Sequence, residues 1–199
     1  MQTHIKTLFI GLTAGLGIGV GGTLALGPSS GNESDAPATT ILGKGSKISG
    51  RAKDFHDGDT FRLTHAGQDI ALRVWGIDAP ELKQMCSKDG KATACGEFAR
   101  EGLEKIIGGD AMTCEMVLPS YNRWVATCVT AGGRNIGAEM VRQGYATADM
   151  KYSKGAYKSL EDEARAGKIG IWGMQMDDPT RWRNCNNKKK NRPADCPRP

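Results

Sequence analysis

Acidic residues and arginines cluster in three short stretches of this 199-residue chain. The stretches are Asp57-Gly58-Asp59-Thr60, Arg73-Val74-Trp75-Gly76-Ile77-Asp78-Ala79-Pro80-Glu81 and Tyr121-Asn122-Arg123. Carboxylate oxygens are suitable ligands for hard cations and can accept a proton from water. A planar guanidinium presents paired donors that match the oxygens of a phosphate group. If the fold brings the three stretches together, they can handle a metal ion, a phosphate group and a water molecule at one site.

The middle stretch has the pattern of a strand that opens into a loop. Ala71, Val74 and Ile77 supply apolar positions, and Pro80 ends the strand because it has no N–H for a sheet ladder. A strand end of this kind allows a rigid scaffold to hold reactive side chains. The charged residues of the stretch crowd this end of an otherwise apolar segment.

The remaining patterns predict strands followed by interspersed helices. Loose alternation from Lys47 predicts a first strand. Further strands are predicted at residues 61–63, 70–77, 112–117 and 124–130, and the last two form a hairpin about Tyr121. Helices are predicted at residues 96–107, 136–143 and 156–165. Strands first and helices later favour an α+β fold. After Asp177 we find no secondary-structure pattern.

The charge of the chain is uneven. The formal net charge is +5, with 25% charged and 39% hydrophobic residues, which is typical of a soluble globular protein. Residues 181–199 hold seven Lys and Arg against one acidic residue, whereas residues 28–180 hold 19 basic against 21 acidic residues. Overall basicity is therefore poor evidence for nucleic-acid binding. The basic tail is either solvated surface or a contact for a polyanion, and both interpretations stay open.

The first 27 residues differ from the rest. His4 and Lys6 precede an uncharged apolar run over residues 7–27, which is typical of a signal peptide. Ala25-Leu26-Gly27 provides small residues at cleavage spacing, although the run is also long enough for an uncleaved membrane anchor. We favour cleavage. Either interpretation exports the domain, so we expect a secreted or periplasmic protein that contacts a membrane only through residues 1–27, if they remain attached.

Composition divides the chain into four segments. Residues 1–27 form the leader, residues 28–46 a flexible linker rich in small and polar residues, residues 47–173 the folded domain, and residues 174–199 a basic tail. The expected state is a monomer.

The six cysteines all follow the apolar run, and an even number in an exported protein indicates disulfides. Several connectivities are formally possible, and we expect neighbours along the chain to pair. The expected bridges are Cys86–Cys95, Cys114–Cys128 and Cys185–Cys196. The second agrees with the predicted hairpin, whose strands place its cysteines nearly opposite each other. A zinc site is the alternative, but the sequence has no C-x-x-C motif and only three histidines.

Taken in order, the three stretches resemble the staphylococcal nuclease family. They supply D-G-D-T, then an arginine five residues before the aspartate of a D-x-P-E turn, then Y-x-R, and the resemblance runs from about residue 47 to residue 172. The family implies an OB-type five-stranded β-barrel with about three helices, here extended by an apolar leader and an irregular tail. It also implies a calcium-dependent nuclease that hydrolyses phosphodiester bonds in DNA, with RNA as a second substrate, and leaves 3′-phosphate ends.

The resemblance assigns the acidic residues to a metal ion and a water molecule. It implies that Asp59 and Asp78, with the backbone carbonyl of Ala79, hold Ca²⁺. The family usually has Thr where Ala79 stands, but a backbone ligand does not depend on the side chain. Glu81 matches the glutamate that orients or deprotonates the attacking water. Asp57 is expected to shape the loop rather than bind the ion.

The resemblance assigns the remaining residues to the substrate. Arg73 and Arg123 match the two arginines that bind the phosphate, and Tyr121 is expected to stack on the substrate or form a hydrogen bond with it. Tyr152 is given the same role on a looser match. Asn122 replaces the family's usual glycine, and because Asn tolerates a left-handed backbone the turn can survive.

Two other classes of function remain as alternatives. The first is an OB-fold protein of the cell envelope that binds nucleic acid or another polyanion but has lost turnover. Retention of both arginines and all three acidic residues argues against it, because a binding module need not keep them together. The second is an envelope protein whose basic tail docks to an acidic polymer. It predicts that deletion of residues 181–199, and not substitution of Glu81, abolishes function.

Overall fold

The computed structural model describes residues 41–186 and Cys196. The leader, most of the linker and most of the tail beyond Asn186 lie outside the described residues. Within the part that is described, no helix is both long enough and apolar enough to cross a membrane.

The described residues form strands and helices that alternate along the chain. The strands are β1 (Lys47–Lys53), β2 (Thr60–His65), β3 (Gln68–Val74), β4 (Ile77–Asp78), β5 (Cys86–Lys88), β6 (Lys91–Thr93), β7 (Ala111–Ser120), β8 (Arg123–Thr130) and β9 (Thr147–Ala148). The helices are α1 (Cys95–Ile107), α2 (Ile136–Arg142), α3 (Met150–Ser153), α4 (Lys158–Ala166) and α5 (Pro179–Asn186), with a 3₁₀ turn at Gly170–Gly173.

Five strands close a barrel in the order β1-β2-β3-β8-β7. Neighbouring strands are antiparallel except β3 and β8, which run parallel. Leu63, Leu72 and Met116 are among the side chains that fill the interior, each at most 1% exposed. On α1 the residues Leu103 and Ile106 face the same core, and burial of this apolar face is what holds the helix on the barrel. The α+β class and the five-stranded barrel are confirmed.

The structure corrects three expectations. Residues 41–186 form five α-helices where about three were expected. The segment between Cys86 and Cys95, for which neither strand nor helix was predicted, contains the β5–β6 hairpin. At the β7–β8 turn the left-handed residue is Tyr121, with φ 56°, whereas Asn122 is not among the residues of positive φ.

Helix α5 contradicts the expectation that no secondary structure follows Asp177. The Asp178 side chain accepts a hydrogen bond from the N–H of Arg181 at 3.1 Å, and Pro179 stands at the first helical position. An aspartate followed by proline is a common helix start, so the signal was present in the sequence. It was missed because the segment is polar and has no apolar periodicity.

Three disulfides are present, and they join Cys86 to Cys95, Cys114 to Cys128, and Cys185 to Cys196. Cys114 and Cys128 are register partners on β7 and β8. The third bridge ties the end of α5 to Cys196 in the tail. Disulfide bonds of this number indicate an oxidising environment such as the periplasm or the extracellular space.

Candidate active site

The barrel and the loops around it bring the three charged stretches together. In the β2–β3 ladder Thr60 is the register partner of Arg73, and the N–H of Val74 donates to the carbonyl of Asp59 at 2.8 Å. The Asp57 side chain accepts from the N–H of Asp59 at 3.0 Å, a contact that shapes the turn. The first stretch therefore lies directly beside the end of β3.

Gly58 allows the first and second stretches to approach closely. A Cβ atom added at Gly58 would lie 2.7 Å from the Cβ of Ala79 and 2.7 Å from the Cβ of Ala99 on α1. Such distances are far inside van der Waals contact, so only glycine fits between the two loops and the helix. The small side chain of Ala79 contributes to the same close packing.

Asp78 is held from its other side by β9. Strand β4 pairs with β9, where Asp78 is the register partner of Thr147. The Thr147 hydroxyl donates to the backbone carbonyl of Asp78 at 2.9 Å. Thr147 and Asp78 are 6% and 8% exposed, so this contact fixes the backbone of an almost buried carboxylate.

Arg73 joins the two aspartates. Its Nη1 donates to Asp59 Oδ1 at 2.8 Å, and its Nη2 lies 2.8 Å from both Asp59 Oδ2 and Asp78 Oδ1. The guanidinium side chain is 20% exposed and the two carboxylate side chains are 3% and 11% exposed. The two carboxylates therefore share one cation in a largely dehydrated site, where an unpaired charge would be costly.

Burial dominates the electrostatics of Asp59. It raises the pKa of this carboxyl to about 7, and the attraction of Arg73 offsets only part of the effect. Burial by itself lowers the pKa of Arg73, but Asp59 and Asp78 outweigh it and hold that pKa above its ordinary value. Arg73 thus remains charged at neutral pH, while Asp59 exchanges a proton close to neutrality.

Glu81 follows Pro80 and is fixed through its backbone. A Cβ atom at Gly96, near the start of α1, would lie 1.9 Å from the carbonyl oxygen of Glu81, so helix and loop are in direct contact. The Glu81 N–H donates to Gln84 Oε1 at 3.1 Å, and the Gln84 N–H donates back to the Glu81 carbonyl at 2.7 Å. Gln84 is completely buried, and its Nε2 donates to the carbonyl of Asp177 at 2.6 Å. Gln84 therefore positions Glu81 and the segment that leads into α5.

Arg123 opens β8 directly after the turn at Tyr121. Its Nη1 donates to Thr60 Oγ1 at 3.0 Å, and that hydroxyl donates to Asp59 Oδ1 at 2.8 Å. Arg123 is thus connected to the aspartates through one threonine. Tyr121 is fully exposed at the tip of the hairpin, since its left-handed backbone directs no part of the side chain into the core.

Tyr152 lies on α3, which is capped by the Asp149 side chain through the N–H groups of Lys151 and Tyr152 at 3.0 and 3.2 Å. Its side chain is 60% exposed, and the Lys151 ammonium lies 5.0 Å from the ring centroid. A ring held at the surface beside a cation suits contact with an anionic aromatic substrate such as a nucleotide.

One cavity of about 990 Å³ connects these groups. The cavity is lined by Arg73, Asp78, Glu81, Arg123 and Tyr152. Its rim also includes Tyr121 and residues of α5. Asp59 and Ala79 lie beneath the surface of the cavity. Asp59 accepts hydrogen bonds from the lining residue Arg73 and from the N–H of Ala79, and Ala79 directly follows the lining residue Asp78.

Two residues of helix α5 contact the acidic residues. Arg183 Nη1 donates to Asp78 Oδ1 at 2.9 Å and to Glu81 Oε1 at 2.8 Å, and its Nη2 donates to Asp78 Oδ2 at 2.7 Å. Thr180 Oγ1 donates to Asp78 Oδ2 at 3.2 Å. The hydrogen bonds with Asp78 raise the pKa of Arg183 above its already high ordinary value.

The donor set fits a hard cation. Asp59 and Asp78 are buried carboxylates whose partners are cations and hydrogen-bond donors, and oxygen ligands of this kind suit Ca²⁺ or Mg²⁺. Among residues 41–186 and 196, no three acidic, histidine or cysteine side chains form a metal cluster by themselves. Backbone carbonyl and water oxygens would therefore have to complete the coordination. Ala79 follows Asp78 directly, and its N–H lies 3.3 Å from Asp59 Oδ2.

The structure brings together every residue that the sequence motifs singled out. Sequence reasoning missed four further residues that contact them: Gln84, Thr147, Thr180 and Arg183. Gln84 and Thr147 have no local signal, because their importance comes from burial. The helix-start pattern at Asp178-Pro179 could have indicated a helix carrying Thr180 and Arg183, but not its position at the cavity.

Comparison with known proteins gives consistent matches. The model of the family described as "Staphylococcal nuclease homologue" matches residues 71–174. The succinoglycan biosynthesis protein ExoI of Rhizobium meliloti is 31% identical over 143 residues, which cover 70% of this chain and 69% of the relative. An uncharacterized endonuclease of Haemophilus influenzae is 31% identical, covering 67% and 71%. The probable endonuclease LCL3 of Clavispora lusitaniae is 27% identical, covering 67% and 70%.

Proposed function

We propose a specific reaction for this chain on the premise that it belongs to the staphylococcal nuclease homologues and is a nuclease that acts on phosphodiester bonds. The proposed reaction is calcium-dependent hydrolysis of DNA, and of RNA as a second substrate, at the cavity that contains Arg73, Glu81 and Arg123. One observation carries the proposal: the two arginines and Glu81 line the same cavity as Asp78, with Asp59 directly beneath.

We assign Ca²⁺ to Asp59, Asp78 and the backbone carbonyl of Ala79. The buried position of both carboxylates and their common contact with Arg73 support the assignment, because this part of the site already stabilises positive charge. When bound, the ion would neutralise charge on the phosphate oxygens and lower the pKa of water. The remaining chemistry is assigned to side chains of the chain itself.

Arg73 and Arg123 are the proposed phosphate ligands. Each guanidinium can donate two parallel hydrogen bonds to the non-bridging oxygens, and these bonds strengthen as negative charge develops in the transition state. Thr60 and Asp59 hold the two arginines on the same side of the cavity. Lysine has the charge but not the planar fork, so an Arg→Lys substitution at either position is expected to impair turnover.

Glu81 is the proposed acceptor of the water proton. The water oxygen forms a new bond to phosphorus, its proton passes to Glu81, and the bond from phosphorus to the 5′ oxygen breaks. The 5′ oxygen leaves as a hydroxyl after taking up a proton, and the phosphate remains on the 3′ side. A general base commonly contributes about 10²–10⁴-fold to the rate. The rigid attachment of the Glu81 backbone to α1 and Gln84 supports this role.

Tyr121 and Tyr152 are the proposed contacts for the sugar or base. Both are exposed at the cavity rim, where an aromatic face can stack on a nucleobase without sequence preference.

We further propose that residues 1–27 are an export signal, that residues 28–46, 47–173 and 174–199 are linker, domain and tail, and that the exported enzyme is a monomer. The disulfides agree with an oxidising compartment.

The test uses purified, oxidised protein on single-stranded and double-stranded DNA, with Ca²⁺ or with excess chelator. The variants are Glu81→Gln and Arg73→Lys, and the matched controls are Glu163→Gln and Arg62→Lys, which alter exposed residues outside the cavity. We expect Ca²⁺-dependent cleavage that falls by about 10²-fold or more in the site variants and is unchanged in the controls.

The result also separates the enzyme from the binding alternative. A product whose 5′ end accepts a kinase label without phosphatase treatment, and whose 3′ end is extended by terminal transferase only after phosphatase treatment, would support the proposed bond. Tight DNA binding without cleavage, indifferent to both site variants, would reject the catalytic assignment. Loss of function only after deletion of residues 181–199 would favour the polyanion-docking alternative.

A further inference from the structure

Helix α5 lies outside the residues that the family model matches, yet two of its side chains reach the proposed metal site. Arg183 contacts Asp78 through two nitrogens and Glu81 through one, at 2.7–2.9 Å. Thr180 donates to Asp78 and accepts from Arg183 Nη2 at 3.0 Å. The helix therefore places a positive charge beside Asp78, which is assigned to the ion, and beside Glu81, which is assigned to the water molecule.

These contacts use the acceptor capacity of Asp78. Its Oδ1 accepts from Arg73 and Arg183, and its Oδ2 accepts from Arg183 and Thr180. A carboxylate has about four lone-pair sites, so all of them are engaged. A calcium ion would need at least one of these oxygens at about 2.3–2.6 Å. Since two positive groups cannot share that space without repulsion, the ion and the Arg183 guanidinium compete for Asp78.

The competitor is held close to the site by the segment that precedes α5. Gln84 Nε2 donates to the carbonyl of Asp177, two residues before the helix begins. Because the guanidinium is tethered, its effective concentration at Asp78 is high, as for any intramolecular ligand.

We propose that Arg183 competes with the metal ion for Asp78 and thereby lowers the metal affinity of this nuclease. The inference rests on the assignment of Asp59 and Asp78 to the ion. In the absence of Ca²⁺, Arg183 neutralises Asp78 and Glu81. Binding of Ca²⁺ displaces Arg183 from both carboxylates, which frees Glu81 to accept a proton. The coupling between the metal and the Arg183 contact is reciprocal, so each weakens the other by the same factor. Removal of the arginine must therefore strengthen metal binding by that factor.

The experiment measures Ca²⁺ binding by isothermal titration calorimetry, without substrate, on the full oxidised chain. Arg183→Ala is expected to lower the Ca²⁺ dissociation constant about tenfold, within the usual range of such couplings. Arg181→Ala is the matched control: it removes the same charge from the same helix but breaks a contact with Asp177 instead. We expect it to change the constant by less than about threefold, because only the long-range repulsion between Arg181 and the ion is lost. Arg183→Lys should give an intermediate value because the ammonium cannot form the same three bonds.

The outcomes distinguish the two levels of the proposal. Asp59→Asn, added to wild type and to Arg183→Ala, should abolish binding in both, which locates the titrated ion. If wild type and Arg183→Ala bind Ca²⁺ equally, or if Arg181→Ala tightens binding as much as Arg183→Ala, the inference about Arg183 is wrong and the metal site stands. If no variant binds Ca²⁺, the metal assignment fails, and the inference that rests on it fails with it.

A second measurement follows the displaced helix. Hydrogen exchange of the amides in residues 179–186 should accelerate when Ca²⁺ is added to wild type, because α5 loses its contacts with Asp78 and Glu81. It should not respond to Ca²⁺ in Asp59→Asn. Unchanged protection in wild type at saturating Ca²⁺ would contradict displacement, even if the variants still fold and cleave DNA.

Discussion

Substitution of Gln84 by Leu tests how the catalytic loop is held. The side chain is completely buried and bridges two segments that are distant in the chain, by accepting from the Glu81 N–H and donating to the Asp177 carbonyl. Leucine has a similar volume, so packing is largely retained and the two hydrogen bonds are the main loss. The substitution thus isolates the polar contribution.

The expected loss of stability follows from the two orphaned groups. A buried donor or acceptor without a partner costs about 1–3 kcal/mol. Glu81 and Asp177 are only partly buried, so water can replace some of each bond, and we take the lower limit for both. The free energy of unfolding should fall by about 2 kcal/mol. Because the Glu81 backbone loses its anchor, the turnover number should also fall, by about tenfold, with little change in KM.

Urea unfolding of the oxidised protein and steady-state cleavage of a short DNA measure the two effects. Gln143→Leu is the control, since Gln143 is half-buried and its Nε2 donates to Glu139 Oε2 of α2 at 3.0 Å. We expect it to cost less than about 1 kcal/mol and to leave turnover unchanged. A Gln84 variant as stable and active as this control would refute the claim that Gln84 positions Glu81.

Three further predictions concern the site. Because the pKa of Asp59 is raised to about 7, protons compete with the metal below neutrality. Ca²⁺ affinity should therefore fall as the pH drops from 7 to 6. Calorimetry in buffers of different ionisation enthalpy should detect the release of protons when Ca²⁺ binds. Gly58→Ala should destabilise the fold by about 1–3 kcal/mol in thermal unfolding and weaken Ca²⁺ binding, since its Cβ would overlap that of Ala79; an unchanged melting temperature would contradict the close packing. Tyr121→Ala and Tyr152→Ala should each raise KM for DNA by about tenfold while leaving the stability of the fold unchanged. The reason is that both rings are exposed and act only by stacking. A loss of stability instead of affinity would mean that the rings are structural.

Local patterns in the sequence were sufficient for the strands of the barrel and for the residues of the motifs, whereas the closure of the barrel was expected only from the family resemblance. Alternation and turn residues locate β2, β3, β7 and β8, and the hairpin about Tyr121 follows from them. The left-handed position within that turn was not predictable in the same way. The register of β7 and β8 pairs Ser120 with Arg123 and leaves two residues to reverse the chain, and positive φ at Tyr121 but not at Asn122 is the pattern of a type II′ turn rather than a type I′ turn.

The sequence by itself was enough to propose the side chains of the active site, because the order and spacing of the motifs match the family that the chain resembles. It did not determine what lies against them. The hydrogen bond from Gln84 to Asp177 spans 93 positions, and those from Arg183 to Asp78 span 105. Contacts at such separations are made only when the barrel is closed and α5 packs at its edge, and no periodicity encodes them. The tertiary structure alone therefore decided that a helix beyond the family's motifs places an arginine on Asp78, which is assigned to the metal, and on Glu81, which is assigned to the water molecule.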